Sequence, residues 1–331
     1  MKAIVQRAYG APDQVLEMDE VDRPSVGDHD VLVRVRATSV NTPDWLAVRG
    51  LPYVLRVQAG GLRRPAIPVR GSDVAGIVEA VGNNVTDLRP GDEVFGSLWT
   101  NEVTKGAGTF AEFTVAPAAQ LIKKPAELAF DEAAAAVMSG VTALIAMRDA
   151  GRVGPGTRVL INGASGGVGT LAVQIAKALG AQVTGVCSTR NVEFVQSLGA
   201  DHVVDYTRDD YTRSTQRYDV ILDNVLNHPP SATVRVLAPG GTFIPNSVGN
   251  ARGLLGSLPR VVRAMLMGRG STDVRTVVCV PSRENLETLA TLLVSGDVKV
   301  IIEKTYPLSD AAAAVAHMLG HHARGKVAIV V

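Results

Sequence analysis

The stretch Asn41-Thr42-Pro43-Asp44-Trp45 follows the alternating run VLVRVRATSV and interrupts it with an amide, a proline and a carboxylate. It carries no Cys, His or Glu. Its side chains can therefore hydrogen-bond and position, but they offer no thiolate or imidazole to a metal. Asp44 reads as a loop-fixing acceptor for nearby N–H or Arg groups, and Trp45 as packing for a cleft wall. Further along, His317 and His321 stand at the metal-like i, i+4 spacing, with His322 beside them. No carboxylate joins them locally, so no metal is assigned there.

The strongest chemical signal is RVLINGASGGVGTLAVQIAKALGA, residues 158–181. A strand runs into Gly163-Ala164-Ser165-Gly166-Gly167-Val168-Gly169, and a helix follows at once. This fits G-x-G-x-x-G with Ala164, Gly166 and Gly169 in the three places. Gly166 lets the backbone approach a pyrophosphate, Gly169 lets helix and strand pack closely, and the helix N-terminus presents free N–H groups. The following strand ends Ser188-Thr189-Arg190 with no acid for a ribose 2′-hydroxyl. Two hydroxyls and a guanidinium suit a 2′-phosphate instead, so NADP(H) is the expected cofactor.

Two kinds of elements position these residues. Residues 1–122 are β-rich, with expected strands at Lys2–Arg7, Val31–Arg36, Gly76–Val81 and Phe110–Val115 and tight turns between them. From Thr157 strands alternate with helices, the pattern of a parallel sheet with helical crossovers. The tail, VKVIIEKTY, a helix over Asp310–Leu319 and KVAIVV, returns to β structure. Residues 51–70 and 251–275 interrupt the plan with Arg-rich stretches, read as a mobile cover, a partner or membrane contact, or solvated basic edges.

Composition narrows the classes. A net charge of +1 and 4% aromatics argue against nucleic acid. No apolar leader opens the chain, and the Ala-rich run Ala133–Met147 is too short to span a bilayer. Cys187 and Cys279 sit in apolar runs, are expected to be buried core thiols, and point to a reducing, cytoplasmic setting.

NTPDW with Arg49-Gly50, GSDVAGIVEAVG (71–82), RPGDEVFG (89–96), SGVTAL (139–144), GASGGVG, LGADHVVDY (198–206) and HARGKVAIVV (322–331) occur in one order. In that order the chain resembles the medium-chain dehydrogenase/reductase superfamily, in its zinc-independent, zeta-crystallin-like quinone oxidoreductase branch. The resemblance implies an α/β protein: a GroES-like β-rich catalytic domain (1–122 and 267–331), an inserted Rossmann doubly wound parallel-sheet domain (123–266), and an active site in a cleft. It implies Asn41 beside the nicotinamide ribose, Thr142 at the carboxamide, and Ser165 to Val168 at the pyrophosphate. Ser188, Arg190 and Tyr206 surround the 2′-phosphate, Asn246, Ser247 and Val248 border the nicotinamide, and Lys326 reaches the cofactor. Relatives often carry a Lys where Val192 stands, which leaves phosphate recognition leaning on Arg190. Tyr53 is the candidate proton donor, one residue later than the family pattern places it.

Zinc enzymes of the superfamily use Cys where Asn41 stands, His-Glu where Ser72-Asp73 stand, and Cys at Ser139. Residues 95–110 hold no cysteine for a structural zinc. The resemblance thus implies an NADPH-dependent, zinc-independent reductase for substrates that accept hydride without a Lewis acid, quinones or α,β-unsaturated carbonyls. Alternatives are an enoyl-thioester or biosynthetic ketone or enone reductase, and an NADPH-binding structural or sensing protein with little turnover. The expected partner is a small-molecule substrate, with no nucleic acid and no integral membrane segment, in a homodimer.

Overall fold

The computed structural model describes residues 1–331 apart from 52, 54, 55, 57–60, 100–107, 248–257, 269–271, 321 and 322. The chain divides into two compact units. Unit 1 comprises Met1–Val141, Val280–Ser295 and Ile302–Val331, and unit 2 comprises Thr142–Cys279 and Gly296–Ile301.

Unit 1 is built on β1 (Lys2–Gln6), β2 (Leu16–Glu20), β3 (Asp30–Ser39), β4 (Asp73–Val81), β5 (Glu93–Ser97), β6 (Phe113–Pro117) and β7 (Leu121–Lys123), joined late in the chain by β14 (Ile302–Pro307) and β15 (Lys326–Val330). β1 and β2 pair antiparallel. The other seven form a sheet in the order β14-β15-β3-β4-β5-β7, with β6 on β3. The alternation in β3 behaves as its pattern demands: Val31, Val33 and Val35 are buried in one core with Val74, Val78 and Val94, while Arg34 and Arg36 are exposed. Leu32, on the arginine side, is buried too. The helices are α1 (Pro12–Val15), α2 (Thr42–Arg49), most of α3 (Phe130–Leu144), α8 (Arg283–Val294) and α9 (Ala311–Leu319).

Unit 2 carries β8 (Arg158–Asn162), β9 (Gln182–Cys187), β10 (His202–Asp205), β11 (Tyr218–Asp223), β12 (Leu237–Pro245) and β13 (Asp273–Val274), with α4 (Gly167–Ala178), α5 (Val192–Ser197), α6 (Pro230–Thr233) and α7 (Leu258–Met267). All six strands are parallel, in the order β10-β9-β8-β11-β12-β13. Counted within the unit this is third-second-first-fourth-fifth-sixth, the doubly wound order.

The limits of the units differ from the sequence-based 122/123 and 266/267. β13 pairs with β12, which carries the chain past 267 within the parallel sheet. At the other end, a Cβ on Gly140 of α3 would meet the Leu289 side chain at 2.8 Å, so this part of α3 packs on α8 of unit 1.

Two further readings change. Phe130–Ala150, α3 with a π-helical turn at its end, is long and apolar enough to cross a membrane by length and composition, and 78% of its apolar window is buried inside the protein. Cys187 is buried, but Cys279 is only half-buried, because it follows the edge strand β13.

Candidate active site

In unit 1 the interrupted strand end becomes a helix cap. Asn41 is extended, with φ −123° and ψ 164°, and stands at the N-cap of α2. Its backbone N–H donates to Asp44 Oδ2 at 2.8 Å, so Asp44 fixes the helix start. Gly50, left-handed at φ 62°, ends the helix by donating to the Leu46 carbonyl. Trp45 lies in the core with Leu46, Val48, Phe110 and Leu308 rather than on a cleft wall.

The Asn41 amide is turned to a buried charge cluster. Its Nδ2 donates to Asp73 Oδ2 at 2.8 Å, and Lys326 Nζ donates to its Oδ1 at 2.5 Å. Ser39 Oγ and the Met138 N–H also donate to Asp73 Oδ2, at 2.8 and 3.4 Å. Register explains the meeting. β15 runs antiparallel to β3 with Ala328 opposite Ser39, and the Val40 N–H donates to the Val327 carbonyl, so the next step sets Lys326 against Asn41. Lys326 is 1% exposed and Asp73 is fully buried. Burial pushes the Asp73 carboxyl up, against the lowering effect of Lys326 and the hydrogen bonds from Asn41, Ser39 and Met138. Burial and the neighbouring Asp73 charge push Asp44 up to about 7, opposed by the Asn41 N–H, Lys326 and Arg70. Asp73 Oδ1 and Ser72 Oγ are buried without a hydrogen-bond partner among the described residues. Ser139 is buried as well, and among the described residues no group of three or more His, Cys, Asp and Glu is gathered to hold a metal. His317 contacts Tyr306 and Glu303, at 3.0 and 2.9 Å. His321 and His322 lie outside the described residues.

In unit 2 the two glycines of the turn do different work. A Cβ on Gly169 would stand 2.1 Å from the Gly163 carbonyl oxygen, so that position must be bare for α4 to pack on β8. A Cβ on Gly166 would meet nothing nearer than 3.6 Å. The protein's own packing does not demand that glycine, since the contact would be an ordinary one. Asn191, buried, donates to Ser165 Oγ at 3.1 Å and Ser188 Oγ at 3.3 Å, tying the turn to the end of β9.

At the C-terminal ends of β8 and β11, Asn162 Nδ2 donates to Asp223 Oδ1 at 2.7 Å. Asn246 Nδ2 donates to Asn224 Oδ1 at 2.8 Å. Asp223 Oδ1 also receives the Val225 and Leu226 N–H groups, and Leu226 is held at φ 54°, a strained angle for a branched side chain. Burial pushes the Asp223 carboxyl up. Its Oδ2 and Asn224 Nδ2 are buried without partners among the described residues. Such strand ends are where doubly wound sheets take their ligands.

The alcohol dehydrogenase GroES-like domain family matches residues 27–126, and the zinc-binding dehydrogenase family matches residues 198–329. The chloroplast envelope quinone oxidoreductase homolog of Arabidopsis thaliana is 35% identical over 341 residues, covering 99% of this chain and 98% of the relative. The chain belongs to the medium-chain dehydrogenase/reductase superfamily, in its zeta-crystallin-like quinone oxidoreductase branch. The mitochondrial NAD(P)H oxidoreductase RTN4IP1 of Mus musculus is 32% identical, over 91% of this chain and 81% of the relative. The quinone oxidoreductase structure from Coxiella burnetii superposes with a TM-score of 0.87 at 26% identity, covering 100% of this chain and 99% of that one. This family member is an oxidoreductase, of a class that works with a nicotinamide cofactor.

The oxidoreductase brings Asn41 and Lys326 together and ties Ser165 to Ser188 through Asn191. Ala164 is buried, Gly167 opens α4 and Val168 follows it. Thr142 is buried near the end of α3, Asn246 and Ser247 follow β12, and Val248 lies outside the described residues. Arg190 is exposed, Tyr206 is 52% exposed, and Thr189 Oγ1 donates to Asp205 Oδ2 at 2.6 Å. That carboxylate, at the end of β10, went unread in the sequence because it is distant from the turn along the chain. Asn162, Asp223 and Asn224 went unread too, although each ends an expected strand. Tyr53 is 49% exposed, with the Arg56 guanidinium 4.4 Å from its ring centroid.

Proposed function

We propose that this oxidoreductase is an NADPH-dependent, zinc-independent reductase that delivers hydride to a quinone or an α,β-unsaturated carbonyl, with unit 1 as catalytic domain and unit 2 as dinucleotide-binding domain. The carrying observation is the buried Asn41–Asp73–Lys326 cluster. At the positions where zinc enzymes of the superfamily carry ligands, this chain has an amide whose nitrogen and oxygen are both engaged, a carboxylate facing a buried ammonium, and two serines. Catalytic zinc needs better donors.

The dihydronicotinamide, when bound, supplies the hydride. The chain's own groups do the rest. Gly166 and the first N–H groups of α4 suit the pyrophosphate, and Ser188, Arg190 and Tyr206 suit a 2′-phosphate. Asp205 beside Thr189 opposes that anion, which puts the discrimination on Arg190. Lys326 and Asp73 hold the Asn41 amide in one orientation, beside the proposed place of the nicotinamide ribose. Tyr53 is the proposed proton donor. Cys187 and Cys279, neither in a disulfide, suit a reducing cytoplasmic setting, and the edge position of β13 among the described strands, followed by the exposed Val278 and Val280, suits a homodimer.

The test is steady-state oxidation of NADPH and NADH by chelator-dialysed protein across a panel of quinones, enones and enoyl thioesters. Turnover of quinone or enone with NADPH, and loss of the NADPH preference in Arg190→Gln, are expected. Activity that chelation abolishes and zinc restores, or equal use of NADH by the unaltered protein, would overturn the reading.

A further inference from the structure

A hollow of about 520 Å³ opens in unit 1, lined by Tyr9, Pro12, Arg49, Tyr53, Arg56 and Leu319 among others. It lies at the C-terminal end of α2. Asn41 is at the other end of that helix, about 12 Å away at 1.5 Å per residue.

The hollow holds a guanidinium fixed in place. Arg56 stands 4.3 Å from the Tyr9 ring centroid and 4.4 Å from that of Tyr53, and its Nε donates to the Gly50 carbonyl at 2.8 Å. Tyr9 is anchored in turn, its hydroxyl donating to the Gly61 carbonyl at 2.6 Å. Gly50 makes the arrangement possible. A Cβ there would stand 2.5 Å from Tyr9 Cδ1 and 2.6 Å from Arg56 Nε, so only a bare residue lets ring and guanidinium close up.

Among the described residues that line the hollow there is no Asp or Glu. Among the described residues, Arg49 and the terminal nitrogens of Arg56 meet no carboxylate and no acceptor. A stacked guanidinium with its terminal edge free is shaped to take an oxyanion in a two-point grip. Arg49, exposed on the same lining, adds a second cation to match a dianion, and Pro12, Leu51 and Leu319 offer apolar wall to an organic scaffold. The volume suits a small molecule, the usual range being about 300–1,000 Å³.

We propose that this hollow is a binding site for an organic phosphate monoester, its phosphoryl group held by Arg49 and Arg56 and its scaffold seated against Pro12, Leu51 and Leu319. The site is separate from the dinucleotide turn; it shares Tyr53, the proposed proton donor, with the reaction proposed above, and its test reads binding rather than turnover.

Calorimetric titration of the full chain with 1-naphthyl phosphate tests it, with excess NADPH present to fill phosphate sites of the dinucleotide region. Inorganic phosphate and 1-naphthol serve as the free-anion and bare-scaffold probes. The ester should bind despite NADPH and more tightly than either probe. Arg49→Gln and Arg56→Gln should each weaken it about tenfold or more, the loss of a charge-assisted pair. Arg56→Lys should fail like Arg56→Gln, because an ammonium presents no planar fork, whereas Arg190→Gln should leave the affinity unchanged. Arg49 is exposed at a helix end, so thermal melting of Arg49→Gln should match the unaltered protein. Absence of ester binding, displacement by NADPH, or indifference to both arginine substitutions would each overturn the proposal, and so would inorganic phosphate binding as tightly as the ester.

Discussion

The dinucleotide turn of unit 2 and the Asn41 cluster of unit 1 are built by opposite means. The turn is local: its strand, its glycines and its helix are consecutive in the chain, and what it offers a ligand is backbone. The cluster is distant: Ser39 and Asn41, Asp73, Met138 and Lys326 come from four separate segments, and what they offer is side-chain charge in a buried place. A local backbone site is sensitive to volume. A buried cluster of ionisable groups is sensitive to balance, because burial favours the neutral carboxyl and a nearby ammonium favours the ionised one. Substitutions should therefore fail differently in the two places.

The largest effect is expected at Lys326. Lys326→Met removes the cation that favours the ionised Asp73 and the donor to Asn41 Oδ1, and should cost about 1–3 kcal/mol of stability by urea unfolding, with part of it recovered by adding Asp73→Asn. Failure of the second substitution to recover stability would show that the cluster is not held by charge balance.

Next comes pH. Asp44 titrates at about 7 when folded and near 3.9 when unfolded. Between those values the folded protein holds a proton that the unfolded chain has released, so stability falls as pH rises through that window, by about 1.4 kcal/mol per unit at most, and levels off above it. Asp44→Asn should remove this slope while keeping an acceptor for the Asn41 N–H. Parallel melting curves of the two proteins from pH 4 to 8 would refute the assignment.

The turn should respond to size alone. Gly169→Ala forces a Cβ against the Gly163 carbonyl and should cost about 1–3 kcal/mol, as overpacking does. Gly166→Ala makes only an ordinary contact, 3.6 Å from the Gly163 carbonyl oxygen, so its stability should change by less than about 0.5 kcal/mol while dinucleotide affinity falls about tenfold or more. Equal stability losses at both glycines would erase the distinction drawn between a packing glycine and a ligand glycine.

These contrasts mirror what could be read before the fold was known. The G-x-G-x-x-G pattern is legible because its parts are neighbours, and the third glycine's role follows from helix–strand packing alone. The two-residue period of Val31, Val33 and Val35 named the buried face of β3 for the same reason. Asp205 escaped, because its meeting with Thr189 depends on β10 lying beside β9. Asn162, Asp223 and Asn224 escaped because a polar residue at a strand end looks like ordinary punctuation. Only the parallel pairing of β8 with β11 shows it to be one hydrogen-bonded group. Trp45 was read as a cleft residue and packs in the core, since which face of α2 is covered depends on α9 and β15, far along the chain.

The sequence by itself determined the family order of motifs, the two kinds of sheet, the glycine-rich turn between β8 and α4, and the residue types at Asn41, Ser72 and Ser139. All of these rest on residue type or short spacing, which the chain states directly. The tertiary structure alone decided that Lys326 faces Asn41, that Asp73 and Asp44 are buried together, that a polar group closes the ends of β8 and β11, and that Arg56 is held between two tyrosines with no acid among the described residues of that hollow. Each of these is a matter of register and burial, and burial is what turns an ordinary carboxylate or guanidinium into one with unspent charge.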